Sequence, residues 1–298
     1  MMTISDGLTE YWKALMGIVE KGKDFTVGEI LDFKVRILGD KKLPTKIMVR
    51  RCYLDLLKFV IQITGRDKVT ALQPSSTLIL GTPGIGKSFF GHFLVPALFL
   101  NEKSTRTIIY ESGPKNCRFL FSRTNVLVGS RSDFMMFLQN PSTFYIADSC
   151  KPQLCAARSV LITSPLRDNW NEFKKYDGAN LYMPPWSQEE ILMCGKGMYS
   201  SEDEKLFDEN FRRWGGVARY VFEFAKAPEM QNFLEDALAR CNMELIDRST
   251  GEDFVRDDIS HRLIHIFPKG GDYTTPSHDF ASKYVRDRVG DLLKSEIR

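Results

Sequence analysis

The stretch that decides the fold is Gly-Thr-Pro-Gly-Ile-Gly-Lys-Ser at residues 81–88, a full match to the pattern G-x-x-x-x-G-K-[S/T]. An apolar run at residues 76–80 precedes it, and a helix-like run at residues 89–100 follows it. A strand, a glycine-rich turn and a helix start together form the context of a phosphate-binding loop, the P-loop. The glycines permit backbone angles that a side chain would block. The sequence therefore predicts a loop whose N–H groups face an anion at a helix N-terminus.

The side chains of this loop predict a nucleotide and a metal as ligands. Lys87 is expected to reach the β- and γ-phosphates, and the Ser88 hydroxyl is expected to bind Mg²⁺. Phe89, which follows directly, is also a simple candidate for core packing. The predicted nucleotide-binding residues are Gly81, Thr82, Pro83, Gly84, Ile85, Gly86, Lys87, Ser88 and Phe89.

Composition and charge exclude several other classes of protein. The chain has 298 residues, 43% hydrophobic and 27% charged, which is ordinary for a globular protein. A formal net charge of +3 is too small to argue for nucleic-acid binding. The sequence has no secretory signal and no apolar run of about 18 residues, so we expect an intracellular protein without a membrane span. His261 and His265, spaced as on one helix face, are interpreted as structural.

Alternating apolar segments predict an α/β fold with a mostly parallel sheet in a three-layer core. Residues 105–111 and 118–121 form a predicted hairpin, and residues 143–147 and 158–163 form predicted buried strands. A capping box from Ser187 to Glu190 predicts the start of a helical lid, with breaks at Gly195, Gly197 and Gly215–Gly216. The predicted parts are an N-terminal helical region (1–70), a P-loop core (71–186), a helical lid (187–246) and a tail that starts a further domain (247–298).

A P-loop needs a second metal ligand, and Asp148 is the predicted one. It ends the apolar strand at residues 144–147, where P-loop proteins carry a carboxylate for Mg²⁺. The alternative is an ordinary strand-end carboxylate that caps a turn. Ser149 follows at the position where many AAA-like ATPases have a Glu that polarises the attacking water. Either another residue orients that water, or hydrolysis is slow and the chain is a nucleotide-dependent switch.

Two further positions are expected near the γ-phosphate. Thr163 and Ser164 end the next apolar strand, at the sensor 1 position of AAA-like folds. Arg219 follows Gly215–Gly216 and is similar to a sensor 2 arginine, whose guanidinium offers the phosphates a fixed charge and a planar fork of donors. A strand-end turn and a solvated helix arginine are the respective alternatives. The predicted catalytic residues are Lys87, Asp148, Ser164 and Arg219.

Five segments, taken together in this order, resemble the P-loop ATPase module of Crinkler effectors and the related retrotransposon hot-spot proteins. They are residues 81–90, 145–148, 161–165, 183–190 and 212–220. The resemblance covers about residues 45–290, and Met-Pro-Pro-Trp at 183–186 and Trp-Gly-Gly-Val-Ala-Arg at 214–219 single out the family. It implies an AAA/STAND-like ATPase fold, ATP with Mg²⁺ as ligands, a protein or nucleic-acid partner, and a nuclear destination in a host cell.

The chain departs from that family in two respects. It lacks the leader-bearing N-terminus of secreted Crinklers, and it ends at Arg298, roughly where a nuclease domain would begin. Its tail shows no carboxylate cluster with a following E-x-K pattern, so no nuclease activity is expected of this chain. The leading hypothesis is Mg²⁺-dependent ATP binding and hydrolysis that couples nucleotide state to a partner. The alternatives are a non-hydrolysing, nucleotide-gated interaction module and a small-molecule kinase, although no acceptor-orienting base is evident. The sequence leaves the partner and the oligomeric state open.

Overall fold

The structure is a computed structural model that describes residues 5–65, 76–102, 105–164, 178–244, 246 and 260–296. The chain divides into two compact units. The first unit comprises Met1–Leu80 and Lys87–Leu181, and the second comprises Gly81–Gly86 and Tyr182–Arg298. The division passes through the P-loop. The four-part organisation predicted above stays a prediction.

The first unit contains most of the strands. These are β1 (Ile30–Asp32), β2 (Lys46–Met48), β3 (Ser76–Leu80), β4 (Thr107–Ser112), β5 (Cys117–Ser122), β6 (Val126–Gly129), β7 (Phe144–Asp148), β8 (Arg158–Ile162) and β9 (Gly178–Tyr182). Its helices are α1 (Asp6–Glu20), α2 (Arg51–Ile63), α3 (Lys87–Asn101) and α4 (Met135–Leu138).

A seven-stranded sheet forms the centre of this unit, in the order β6-β5-β4-β7-β8-β3-β9. Strands β4, β7, β8 and β3 run parallel to one another, whereas β4, β5 and β6 are joined antiparallel. Every residue of β3, β7 and β8 is buried, as parallel strands covered on both faces should be. The predicted hairpin and both predicted buried strands are therefore confirmed.

Helices cover both faces of the sheet. Successive strand residues point to opposite faces, so Tyr110 and Glu111 of β4 mark the two sides. On the Tyr110 side, α3 packs against β7 and β8 and is apolar almost all round, as a buried helix should be. On the Glu111 side, α4 packs against β4, and Arg118 of β5 donates to the main-chain oxygen of Asp133. The first unit is thus the predicted three-layer α/β P-loop fold.

The second unit is mainly helical. Its helices are α5 (Gln188–Met198), α6 (Glu204–Trp214), α7 (Pro228–Ala239), α8 (Ser260–Leu263) and α9 (Lys283–Glu296), and its strands β10 (Ile264–Pro268) and β11 (Pro276–Phe280) pair antiparallel. A turn of π-helix lies at Arg219–Glu223.

The predicted capping box is confirmed at the start of α5. The Ser187 hydroxyl accepts from the Glu190 main-chain N–H, and the Glu190 carboxylate accepts from the Ser187 main-chain N–H. The predicted breaks at Gly195 and Gly197 are wrong, because α5 continues through both. A glycine costs a helix about 1 kcal/mol, which tertiary packing overcomes. A Cβ at Gly195 would lie in ordinary van der Waals contact with the Phe207 ring, at 3.4 Å, so the helix packs against that ring here. The break at Gly215–Gly216 is confirmed, since α6 ends at Trp214.

One hydrophobic cluster joins the predicted lid helices to the described part of the predicted tail. Trp214 stacks on Tyr220 with ring centroids 3.6 Å apart, and Leu234 of α7 and Val285 of α9 pack in the same cluster. Residues of α6, α7 and α9 therefore share one core.

The two histidines do not share a helix face. His261 lies in α8, whereas His265 lies in β10, because the chain changes from helix to strand after Leu263. Burial lowers the pKa of His265 to about 3, so its ring is neutral at physiological pH.

Candidate functional site

The P-loop has the backbone that its glycines predict. Gly84 and Gly86 adopt positive φ angles of 83° and 90°, which residues with a side chain rarely adopt. A Cβ at Gly81 would lie 2.8 Å from the Met183 main-chain oxygen, so that glycine permits a close approach. Lys87 begins α3 and is 9% exposed.

Asp148 meets Ser88, as the metal-site hypothesis requires. Asp148 ends β7 and is 4% exposed. The Ser88 hydroxyl donates to its Oδ1 at 3.0 Å, and the Ser149 hydroxyl donates to the same oxygen at 3.1 Å. The Tyr110 hydroxyl donates to Oδ2 at 2.7 Å. Three hydroxyl groups therefore fix the orientation of one buried carboxylate.

Burial and hydrogen bonding act in opposite directions on this carboxylate. Burial is the largest effect and raises the pKa of Asp148, while the three hydroxyl donors and the charge of Lys87 lower it, leaving a net increase. Burial and the carboxylate hold the pKa of Tyr110 well above its usual value, so Tyr110 stays a neutral donor. Burial lowers the pKa of His92 to about 3, and its neutral ring lies 4.9 Å from the Tyr110 ring.

Tyr110 is a site residue that the sequence analysis missed. The sequence signal for a functional role of Tyr110 is weak, because an aromatic residue in an apolar strand usually belongs to the core. Ser112, two residues further along β4 and on the same face, pairs with Asp148 across the parallel ladder. A Cβ at Gly91 of α3 would lie 3.2 Å from the Tyr110 ring and 3.0 Å from Ile162. The glycine thus leaves room for the ring between the helix and the sheet.

The donor set of Ser88 and Asp148 fits Mg²⁺. Magnesium prefers hard oxygen ligands, and in nucleotide sites it takes one or two carboxylates, waters and phosphate oxygens instead of an all-protein cage. Within the part of the chain that the structure describes, no three His, Cys, Asp or Glu side chains are grouped to hold a metal. The pair therefore matches a site in which phosphate and water complete the coordination.

Residues after β7 and β8 occupy the carboxyl ends of parallel strands, where ligands of α/β folds bind. Thr163 is buried and its main-chain N–H donates to Ile79 of β3 at 3.1 Å. Ser164 is half-buried. Ser149 has a φ of 55° and donates its N–H to the Ile162 oxygen at 2.8 Å.

Phe89 is half-buried on the first turn of α3. Its ring lies 6.4 Å from that of His92 in an edge-on arrangement. Packing within the first unit accounts for this contact, and a role in nucleotide binding stays a prediction.

In the second unit, three groups distant in sequence hold the P-loop. The Gly84 oxygen accepts from the Arg219 main-chain N–H at 3.0 Å. The Ile85 oxygen accepts from the Trp186 indole Nε1–H at 2.8 Å. The Thr82 hydroxyl accepts from the Ile266 main-chain N–H at 3.0 Å. Sequence reasoning missed all three contacts, because no local pattern signals them; it predicted only that the Arg219 side chain would point toward the phosphates.

Arg219 approaches the loop with its backbone. A Cβ at Gly84 would lie 2.8 Å from Val217 and 3.1 Å from the Arg219 Cβ. The Arg219 side chain is about half exposed, and its Nε lies 3.9 Å from the Glu223 carboxylate. A role for this side chain at the γ-phosphate stays a prediction.

No family model matches the chain. It is 28% identical over 231 residues to Crinkler effector protein 15 of Phytophthora infestans, a match covering 72% of this chain and 35% of that protein. Crinkler effector protein 16 of the same organism is 28% identical over 232 residues, with the same coverage. The chain thus spans about a third of the length of these curated relatives. The resemblance to Crinkler proteins is supported, and that to retrotransposon hot-spot proteins stays a prediction.

Solved structures with a related arrangement include the Hsp104–ADP complex of S. cerevisiae, with 10% identity, a TM-score of 0.40, and coverage of 82% of this chain and 38% of that one. The ORC2 protein of Aeropyrum pernix gives 13% identity and a TM-score of 0.36, and the match covers 87% of this chain and 97% of that one. The RuvB branch migration motor of Thermotoga maritima gives 14% identity and a TM-score of 0.33, and the match covers 70% of this chain and 72% of that one. The fold assignment rests on the sheet order and the P-loop, not on these alignments.

Among the described helices, none has both the length and the apolar character needed to cross a membrane. Over 72% of its length, the chain is similar to Crinkler effector proteins.

Proposed function

We propose that this chain binds ATP with Mg²⁺ at its P-loop and hydrolyses it, so that the nucleotide state controls a protein or nucleic-acid partner. The observation that carries the proposal is the 3.0 Å hydrogen bond between Ser88 and Asp148. A hydroxyl at the start of the helix after a P-loop, joined to a strand-end carboxylate, is the pair that holds Mg²⁺ in P-loop NTPases. A glycine-rich turn without a nucleotide-binding role would not require this hydrogen bond.

Each residue has a distinct part in this reaction. Lys87 offsets negative charge on the β- and γ-phosphates, and Ser88 and Asp148 would hold the metal. A bound Mg²⁺ would neutralise charge that develops on the phosphate oxygens. Thr163 or Ser164 would hydrogen-bond the γ-phosphate, and the Arg219 guanidinium would add a second positive charge. ATP is proposed over GTP because the Crinkler resemblance implies it and the sequence has no N-K-x-D motif.

A second candidate function is a nucleotide-gated interaction module without turnover. Ser149 favours it, because its hydroxyl donates to Asp148 and the position offers no carboxylate to polarise a water. Charge stabilisation and water positioning are separate requirements, so tight binding without hydrolysis is physically consistent.

Two measurements on the purified chain test the proposal. The first is titration with a fluorescent ATP analogue, with Mg²⁺ and with EDTA. The second is phosphate release from Mg·ATP, with and without duplex DNA. Binding strengthened by Mg²⁺ together with phosphate release supports an ATPase. Binding without release supports the module, and absence of binding contradicts both.

Tyr110→Phe is expected to weaken Mg²⁺ about tenfold while nucleotide binding in EDTA stays within about twofold. The variant keeps the ring but removes the donor to Asp148, so the carboxylate is less well oriented. The half-saturating Mg²⁺ concentration for binding of the ATP analogue measures the effect.

Tyr145→Phe is the matched control for that change. Its hydroxyl donates at 2.7 Å to Glu111, on the opposite face of the same sheet. Its Mg²⁺ requirement should match that of the wild type. Equal shifts in the two variants would mean that Tyr110 only stabilises the sheet.

Arg219→Ala is expected to lower phosphate release by at least about tenfold while ATP affinity falls less than about threefold. The main-chain N–H that bonds Gly84 survives this substitution, so only the guanidinium is lost. Comparison of turnover number with binding constant separates the two effects. Arg212→Ala is the control, because Arg212 is exposed and pairs with Asp208. Unchanged turnover in Arg219→Ala would exclude a sensor role.

A further inference from the structure

The two segments that carry the family resemblance most specifically meet each other in the second unit. The Trp186 main-chain N–H donates to the Gly216 oxygen at 2.9 Å. A Cβ at Gly216 would lie 2.1 Å from the Trp186 oxygen, so any side chain would prevent this approach. Gly215 has a φ of 60°, and a Cβ there would lie 1.9 Å from the Ala281 oxygen. Gly216 is therefore required for its segment to lie against Trp186, and Gly215 is required for the same segment to lie against Ala281.

Each segment then donates one hydrogen bond to the P-loop. The indole N–H of Trp186 reaches the Ile85 oxygen at 2.8 Å, and the main-chain N–H of Arg219 reaches the Gly84 oxygen at 3.0 Å. Trp186 is 9% exposed, so its bond is protected from water. We call these two donors, the Trp186 indole N–H and the Arg219 main-chain N–H, the loop clamp.

Because of peptide geometry, the loop clamp also sets the direction of two main-chain N–H groups of the P-loop. In a planar trans peptide, the C=O and the N–H point in opposite directions. The Gly84 oxygen shares its peptide with the Ile85 N–H, and the Ile85 oxygen shares its peptide with the Gly86 N–H. Holding both oxygens on the clamp therefore points the N–H groups of Ile85 and Gly86 away from it. These are donors that a P-loop offers to phosphate.

We propose that Trp186 is a positioning residue for phosphate binding, acting with the Arg219 main-chain N–H to preset the donors of Ile85 and Gly86. The inference rests on the proposed function, because it takes the P-loop to be a phosphate site. The ligand chemistry that the clamp serves is the polyphosphate chain, independent of the nucleoside. An anion that meets a preset loop avoids the cost of ordering it. By linkage, a bound polyphosphate strengthens the clamp in return.

The test is Trp186→Phe in the full chain, measured with Mg·ATP and with inorganic tripolyphosphate as a competitor of the fluorescent ATP analogue. Phenylalanine retains an aromatic ring beside Phe222, whose centroid lies 5.8 Å from that of Trp186, but it cannot donate to Ile85. We expect both affinities to fall by the same factor, about tenfold.

Trp214→Phe is the matched control. It removes another buried indole donor of the same unit, one that bonds Gln231 at 2.6 Å and not the P-loop. Its affinities should stay within about twofold of the wild type, with a melting temperature lowered at least as much as in Trp186→Phe. Equal affinity losses in the two variants would reduce Trp186 to a structural residue and overturn the inference.

Failure of the clamp and failure of the proposed function give different results. If the wild-type chain binds neither ATP nor tripolyphosphate, both are wrong. If it binds and Trp186→Phe binds equally well, only the clamp is wrong. Should Trp186→Phe not fold, hydrogen exchange of the Arg219 amide in the wild-type chain decides. Slower exchange with tripolyphosphate supports the clamp, and unchanged exchange under saturating ligand overturns it.

Discussion

Replacing Lys87 with Ala is expected to lower ATP affinity by at least about a hundredfold. Hydrogen bonds to charged groups contribute about 1.5–3 kcal/mol each, and Lys87 is proposed to bond two phosphates, which together exceed two decades of affinity. The side chain is 9% exposed, so little water screens its charge. Titration with the fluorescent ATP analogue in EDTA measures the loss without interference from the metal.

Two control variants separate the effect of the Lys87 charge from the effect of its side-chain shape and from that of the protein's net charge. Lys87→Arg keeps the charge but replaces a compact ammonium with a larger planar group, so we expect affinity between those of Lys87→Ala and the wild type. Lys58→Ala removes an exposed lysine that pairs with Asp55, and should bind as the wild type does. Unchanged affinity in Lys87→Ala would refute nucleotide binding at the P-loop.

Local patterns were sufficient to predict the elements that surround the P-loop. Strand β3, the glycine turn and α3 follow from one continuous stretch, and Asp148 follows from an apolar strand that ends in a carboxylate. Each of these signals is contained within about ten residues. The hydrogen bond from Ser88 to Asp148 joins two predicted residues, because the pattern of P-loop proteins already pairs them.

The contacts that hold these parts in place could not be predicted locally. Tyr110 reaches Asp148 across 38 positions, Trp186 reaches Ile85 across 101, and Ile266 reaches Thr82 across 184. Nothing in the neighbourhood of each residue reveals its partner. The same limit explains the error at Gly195, where packing against Phe207 outweighs the weak helix preference of glycine.

The backbone at Ser149 bears on the choice between turnover and switching. Ser149 has a φ of 55°, and a Cβ at Gly113 would lie 2.1 Å from its oxygen, so this turn packs tightly against the end of β4. Its hydroxyl is committed to Asp148. A water-polarising group, if the chain supplies one, must therefore come from another position, and Thr163 or Ser164 can only orient a water. We expect turnover to be slow relative to binding.

Asp148→Asn is expected to lower Mg²⁺-dependent phosphate release by at least about a hundredfold. Asparagine preserves the shape and one oxygen acceptor but removes the negative charge that Mg²⁺ needs. ATP binding in EDTA should stay equal or become tighter, because a negative charge leaves the neighbourhood of the phosphates. Phosphate release at saturating Mg²⁺ and binding in EDTA measure the two effects separately.

The thermal stability of Asp148→Asn distinguishes a loss of phosphate release caused by the missing charge from a loss caused by unfolding. Burial raises the pKa of Asp148 in the folded chain, so at neutral pH the ionised carboxylate disfavours folding relative to a neutral group. The melting temperature of Asp148→Asn should therefore equal or exceed that of the wild type. Asp133→Asn is the control variant. The Asp133 carboxylate accepts from the Ser130 N–H and lies on the opposite face of the sheet from Asp148, so this variant should keep full phosphate release. A residue retained for metal binding is expected to lower the stability of the fold and not to raise it. If Asp148→Asn has a lower melting temperature than the wild type and still releases phosphate, the Asp148 carboxylate serves the fold and not the metal.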